Sequence, residues 1–343
     1  MTRRFLMRRR SRLAVLLVAA LTAVGTITGV ALAKPRVVPL VGTGVVVIDT
    51  NLGYQSAQAA GTGMVLTSSG EILTNNHVIR GATTIKVVLP GTRHSYDARV
   101  VGYDVSDDVA VLQASGASHL RTVAVGNSAT VKVGQPVTAV GNAGGSGSLV
   151  SAAGTVTGVA RSIEVSDENG NTEQLTGLIE TDAGLQPGDS GGPLFNAGKK
   201  VIGMDTAAST SYGFQQAAGS AGYAIPVNKA LAIAKAIVAG KASATVHIGA
   251  TGFLGISVAS SYPGYDGTGA VIVSVVDGGP AAGAGLVPGD VITSFAGHAV
   301  TSAASLGPLV VAAKAGSTVA VTYLDQTGAS QTATVTLASG PPQ

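Results

Sequence analysis

The stretch Pro187-Gly188-Asp189-Ser190-Gly191-Gly192-Pro193 constrains this chain more than any other. A serine set this tightly among glycines is seldom accounted for by packing alone, and the pattern marks Ser190 as a candidate nucleophile. Glycines at 188, 191 and 192 let the backbone turn sharply and approach a substrate carbonyl. The peptide N–H groups of Gly188, Asp189 and Ser190 can then converge where an oxyanion forms. A serine hydroxyl is inert at neutral pH without a base beside it, so the chain must also supply a histidine and a carboxylate to orient it.

Only five histidines exist, at 77, 94, 119, 247 and 298. His77, in Thr74-Asn75-Asn76-His77-Val78-Ile79, follows a strand-like run and precedes a small-residue turn at Gly81-Ala82. It is the candidate base; strand and turn polarity account for the other four. The acid is sought where acids run into an apolar strand, Asp104-Val105-Ser106-Asp107-Asp108-Val109-Ala110-Val111-Leu112. Asp107 and Asp108 compete there, with Asp108 bordering the strand.

The order His77, Asp108, Ser190, together with GDSGGP, resembles the trypsin-like serine proteases, and the runs TNNHVI and DDVAVLQ narrow the resemblance to the HtrA/DegP branch. The resemblance extends from about Val37 to the end of the sequence and implies a chymotrypsin-like double antiparallel β-barrel followed by a PDZ domain. It places the acid immediately before the Val-Ala-Val-Leu run, which favours Asp108. It also implies base and acid from the first barrel, serine from the second, and a homo-oligomer, a trimer. One departure stands out: Asp189 precedes the serine where many family members carry asparagine. In digestive relatives that aspartate pairs with an amino terminus freed by cleavage, and nothing here looks like such an activation site. Asp189 must find another partner.

The chain opens with arginines at 3, 4, 8, 9, 10 and 12 and no acid, then runs apolar from Leu13 to Ala33. These 21 residues are long enough to span a bilayer, and Ala31-Leu32-Ala33 before Lys34 is also a small-x-small cleavage pattern. Either way an export or anchor helix over residues 1–33 places everything after Ala33 outside the membrane, which the chain touches only through residues 13–33 if they are not removed. Thr2-Arg3-Arg4-Phe5-Leu6 is an imperfect twin-arginine pattern, and an ordinary basic leader explains it better. Setting those six arginines aside leaves 15 Lys and Arg against 18 acids, a net charge of −3. The exported part therefore has no basic footprint for nucleic acid. Zero cysteines exclude disulfides and thiolate metal sites, the histidines lack ligand spacing, and nothing calls for a metal or a cofactor.

With 48 glycines and 4% aromatic residues, the remainder reads as mainly β. Short runs from Gly44 to Gln113 suit a first antiparallel barrel, and runs from Pro136 to Ile225 a second. Over Pro226–Ala239 the apolar period changes to that of a helix, stopped at Gly240. The expected layout is a protease domain over 34–240, a linker over 241–250 and a PDZ domain over 251–340. Within the last, Phe253-Leu254-Gly255-Ile256 is the candidate carboxylate loop and Ser302–Ala313 the helix across the groove. The loop Gly141–Gly147 lacks the Lys-Ser/Thr pair of a phosphate cradle and reads as a surface loop near the cleft. Asp182 reads as structural. By resemblance, the specificity pocket is floored by Gly184 and Leu185 and walled by Met204, Thr206 and Ala207. These readings combine into an exported serine endopeptidase acting on polypeptides that are unfolded or end in apolar residues. The rivals are a chaperone-like binder of misfolded chains with little proteolysis and an adhesion module without catalysis.

Overall fold

In the computed structural model, residues 42–166, 172–206, 221–259 and 267–343 are described. The expected leader over residues 1–33, the likeness's first residues and Ala207 lie outside them. Six strands form the first barrel: β1 (Val45–Leu52), β2 (Ala57–Val65), β3 (Glu71–Thr74), β4 (Thr84–Val88), β5 (Ser95–Asp104) and β6 (Val109–Ala114). They pair in the order β5-β4-β1-β2-β3-β6, and β6 returns to β5 to close the ring. The second barrel closes in the order β10-β11-β12-β9-β8-β7, from β7 (Pro136–Gly141), β8 (Val150–Ser166), β9 (Thr172–Thr181), β10 (Pro193–Asn196), β11 (Val201–Thr206) and β12 (Gly222–Pro226).

Strand alternation explains how the two rings share a core. In β6, Ala110 and Leu112 fill the first barrel, while Val109 and Val111 point out of it toward the second. In β11, Ile202 fills the second barrel and Met204 faces the shared layer. Helix α1 (Asn76–Ile79) is a single turn after β3, and α2 (Val227–Val238) seals the shared layer with Val227, Ala230, Ala234 and Ile237. Past α2, the N–H of Gly240 bonds to the carbonyl of Ile237 (2.9 Å) and that of Lys241 to the carbonyl of Ala236 (2.9 Å), a glycine stop of the expected kind. The stretch 241–250 is more than the expected linker: β13 (Val246–Ile248) pairs antiparallel with the end of β5.

A third body follows with its own core, including Leu254, Ile272, Ile292, Phe295 and Leu306. Its main sheet runs β15 (Ile256–Ala259), β16 (Ala270–Val275), β17 (Val291–Phe295), β19 (Thr318–Leu324) and β20 (Ser330–Thr336), with β18 (His298–Ala299) beside β17. A separate pair joins β14 (Thr251–Phe253) to β21 (Ala338–Gly340). Two helices complete it, α3 (Pro280–Gly283) and α4 (Ala303–Ala312), the latter opened by a capping box between Ser302 and Ser305. Among the described residues no helix is long and apolar enough to cross a membrane.

Candidate active site

His77 is delivered by the change from strand to helix. Thr74 ends β3 with its hydroxyl donated to the Thr62 carbonyl (2.7 Å), Asn75 is extended, and α1 then turns His77 outward, with 40% of its side chain exposed. Asp108 comes from the β5–β6 turn, where its φ of 52° is a left-handed conformation that aspartate tolerates better than most residues. The Asn75 amide holds that turn by donating to the Asp108 carbonyl (2.9 Å).

The Asp108 carboxylate grips α1 at two points. Its Oδ1 accepts from the His77 backbone N–H (3.0 Å), and its Oδ2 lies 2.8 Å from His77 Nδ1. The Thr206 hydroxyl, at the end of β11, donates to the same Oδ2 (3.2 Å). The competing Asp107 instead pairs with Lys229 of α2.

Ser190 lies in the turn that links β9 to β10, buried at the first barrel's edge. Gly188 and Gly191 have φ of 97° and 84°, and a side chain at either would collide with the carbonyl oxygen of Asn142 or Thr62. Thr62 of β2 fastens the turn: its hydroxyl donates to the Gly188 carbonyl (2.7 Å), its N–H to the Ser190 carbonyl (2.9 Å). The Thr62 hydroxyl in turn accepts from the Asn142 N–H (2.9 Å). The glycine-rich loop 141–147 does more than cover the surface, because Gly144 N–H donates to the Pro187 carbonyl (2.8 Å). Opposite groups of a trans peptide point opposite ways, so this bond turns the Gly188 N–H away from that loop. Burial pushes the Asp189 carboxyl up to about 6, opposed by the N–H of Gln186 that it accepts.

The pocket residues separate. Leu185 is buried in the second barrel's core and Met204 in the layer between barrels, while the Thr206 hydroxyl is taken up by Asp108. Gly184 has φ of 65° in the turn before Leu185. Among the other histidines, His94 packs edge-on to Tyr96 (4.6 Å) and His247 against Tyr103 (5.0 Å), neither at this site. The sequence does not single out Thr62, Asn75 and Asn142 as supports, or the Thr206 hydroxyl as a partner of Asp108, because which polar groups meet depends on strand register and on how the loops dock.

In the third body, Phe253 ends β14, Leu254 is buried, Gly255 has φ of 79° and Ile256 begins β15. Among the described residues no strand lies beside the outer edge of β15, the terminal strand of its sheet.

Residues 61–204 match the trypsin-like peptidase domain family, and residues 252–337 match the PDZ domain family. The chain is a trypsin-like peptidase domain joined to a PDZ domain, of the HtrA/DegP type. It is 37% identical over 306 residues to Serine protease PepD of Mycobacterium tuberculosis, covering 85% of this chain and 63% of that protein. It is 37% identical over 270 residues to a probable periplasmic serine endoprotease, DegP-like, of Pseudomonas fulva, covering 76% of this chain and 52% of that one. The chain thus spans about half to three fifths of the length of these relatives. The structure of the HtrA-type protease AlgW with a tripeptide aligns with a TM-score of 0.50 and 28% identity, covering 88% of this chain and 95% of that one. In the HtrA-type chain described here, His77 and Asp108 belong to the first barrel of the peptidase domain and Ser190 to the second.

Proposed function

We propose that the chain is a serine endopeptidase in which Ser190 is the nucleophile, His77 the general base and Asp108 the orienting acid. The observation that carries this reading is the double contact of Asp108 with His77, at the side chain (2.8 Å) and the backbone (3.0 Å). A carboxylate at Nδ1 fixes the tautomer with its proton there, which makes Nε2 the acceptor for the Ser190 proton. As Ser190 Oγ attacks the carbonyl carbon, His77 takes the hydroxyl proton and later gives it to the leaving amine. The cation formed in between faces Asp108, whose own charge is stabilised by Thr206. The Gly188 and Ser190 N–H groups are the candidate oxyanion donors, supported by the Gly144 bond that orients the Pro187–Gly188 peptide; the third expected donor, the Asp189 N–H, is taken by the Gln186 carbonyl (3.0 Å).

Within the family the sequence resembles the mycobacterial secreted serine protease PepA, and the relatives named periplasmic agree with an exported location after a leader or anchor at residues 13–33. Unfolded chains or peptides are the substrates in this reading, with the PDZ domain taking apolar carboxy termini through Phe253, Leu254, Gly255 and Ile256. A fluorophosphonate probe tests the chemistry. Covalent labelling at Ser190, absent in Ser190→Ala and His77→Ala, supports the peptidase; binding of unfolded chains without labelling supports a chaperone-like binder instead.

A further inference from the structure

Asp189, beside the nucleophile, has no cationic partner among the described residues. Its Oδ2 accepts from the Gln186 N–H (2.9 Å), and its Oδ1 is buried with no hydrogen bond. In β11, Asp205 is fully buried, and both of its carboxyl oxygens lack a hydrogen bond. The backbone knits the two acids into one unit around Ser190. Gly192 N–H donates to the Asp189 carbonyl (2.9 Å), Asp205 N–H to the Gly192 carbonyl (2.7 Å), and Gly191 N–H to the Asp205 carbonyl (2.8 Å).

Among the described residues no cation is paired with either. Ala224 of β12 stands opposite Asp205, Gly141 packs against Asp189, and the titratable pair of the first barrel, His77 and Asp108, is reached through Thr206. Residues 207–220, which continue from β11, contain no Lys, Arg or His. Burial, and after it the charge of Asp189, raises the Asp205 carboxyl well above the ordinary carboxylate range. Ionised carboxylates only accept hydrogen bonds, so two of them cannot partner each other; one proton makes one of them a donor.

We propose that Asp205 is a positioning residue for hydrolysis at Ser190: it keeps a proton and donates it to Asp189, so that a shared proton holds the Gly188–Ser190 turn where a buried cation otherwise would. This rests on the peptidase reading. The proton belongs to the pair, and losing it leaves two like charges buried together, with no cation beside them among the described residues, which opens the turn.

The sign of the linkage follows. A carboxyl whose folded pKa lies above its unfolded one contributes stability below the unfolded pKa, and that contribution is lost as pH rises through the folded one. Asparagine at 205 donates the same bond and has no proton to lose. The test compares parent, Asp205→Asn and Asp205→Ala by kcat and KM on a short chromogenic peptide, by fluorophosphonate labelling rate, and by Tm from about pH 4.5 to about pH 8. Asp205→Asn keeps kcat within about threefold of the parent, while Asp205→Ala loses about tenfold or more in kcat with little change in KM. The Tm of Asp205→Asn gains on that of the parent as pH rises. Asn as damaging as Ala, a harmless Ala, or a Tm difference independent of pH each overturns the proposal. Should Asp205→Ala not fold, the Asn comparison decides. A parent that never labels at Ser190 refutes the peptidase reading, and with it the positioning role; the slope of the Tm difference still tells whether the proton is shared.

Discussion

The side-chain amide of Asn76, the residue before His77, donates to the main-chain carbonyl of Gln343 across 2.9 Å, joining the helix of the candidate base to the residues that follow the PDZ domain's last strand. A second bond lies just beyond α1, where Gly81 N–H donates to the Pro342 carbonyl (2.8 Å). Around them, Tyr103 hydrogen-bonds Thr251 (2.9 Å) and the Tyr54 ring stacks on Phe253 at 4.8 Å. Because β14 pairs with β21, the strand leading into the carboxylate loop and the strand leading to these contacts are one ribbon.

That contact should matter to turnover. Removing residues 341–343 deletes both bonds that flank His77, and Asn76→Ala deletes one. Each bond is worth about 1 kcal/mol, so kcat on a short substrate should fall about fivefold for Asn76→Ala and further for the truncation. Steady-state kinetics check this; unchanged kcat in the truncated protein would show that α1 holds His77 unaided.

Ser190→Ala and His77→Ala should each remove activity by about a millionfold, and the double variant should cost little more, because nucleophile and base act as one unit. Asp108→Asn should lower kcat by about 10⁴ through the wrong tautomer. Thr206→Val should cost about tenfold, since Asp108 Oδ2 loses one of its two side-chain partners. Near-normal turnover in His77→Ala would refute the assignment. In the parent, kcat/KM should fall at acid pH once His77 is protonated, because an imidazolium cannot accept the Ser190 proton.

Cleavage after Lys or Arg should be poor. No acid stands at positions 184 or 185, the expected pocket floor, to meet a cation. An unpaired charge buried there costs several kcal/mol, so small and medium aliphatic residues should dominate. A peptide library read by mass spectrometry decides; cuts mainly after basic residues would contradict this.

What was legible in the sequence was local. The glycines of 188–192 declare themselves because each close approach excludes a side chain, and α2 is visible from its apolar spacing and its stop. The Asp107/Asp108 choice leaned on the family resemblance, which favours Asp108; that Lys229 takes Asp107 is visible only in three dimensions. Contacts that depend on register or docking left no trace: Thr206 meets Asp108 across 98 residues of sequence and Asn76 meets Gln343 across 267. The same holds for β13, whose three residues look like linker until the edge of β5 is there to pair with them. The partner of Asp189 was also hidden, because Asp205 in an otherwise apolar strand gives no hint of its neighbour.

The PDZ groove yields the last expectation. The outer edge of β15, unpaired among the described residues, should accept a peptide by strand addition, with the loop 253–256 at the end where the peptide's terminal carboxylate would sit. On the helix side, Leu306 is buried in the core and unavailable, which leaves the half-buried Leu309 and Val310 of α4 to meet the last side chain. Gly255 controls the loop through its backbone: space around a Cβ there is ordinary, with Pro280 at 3.4 Å, but φ of 79° is hostile to a β-branched residue. The loop's carbonyls are already used, that of Leu254 by Ala281 N–H (3.0 Å) and that of Gly255 by Val276 N–H (2.9 Å), so a shift in φ would break bonds as well as misdirect N–H groups. Gly255→Val should therefore weaken binding of peptides with free apolar carboxy termini by about tenfold or more, while hydrolysis of a short chromogenic substrate survives. Amidating the peptide should weaken binding to the parent as well. Calorimetric titration measures both; equal affinity for free and amidated peptides would reject capture of the terminal carboxylate and reassign the groove to internal segments.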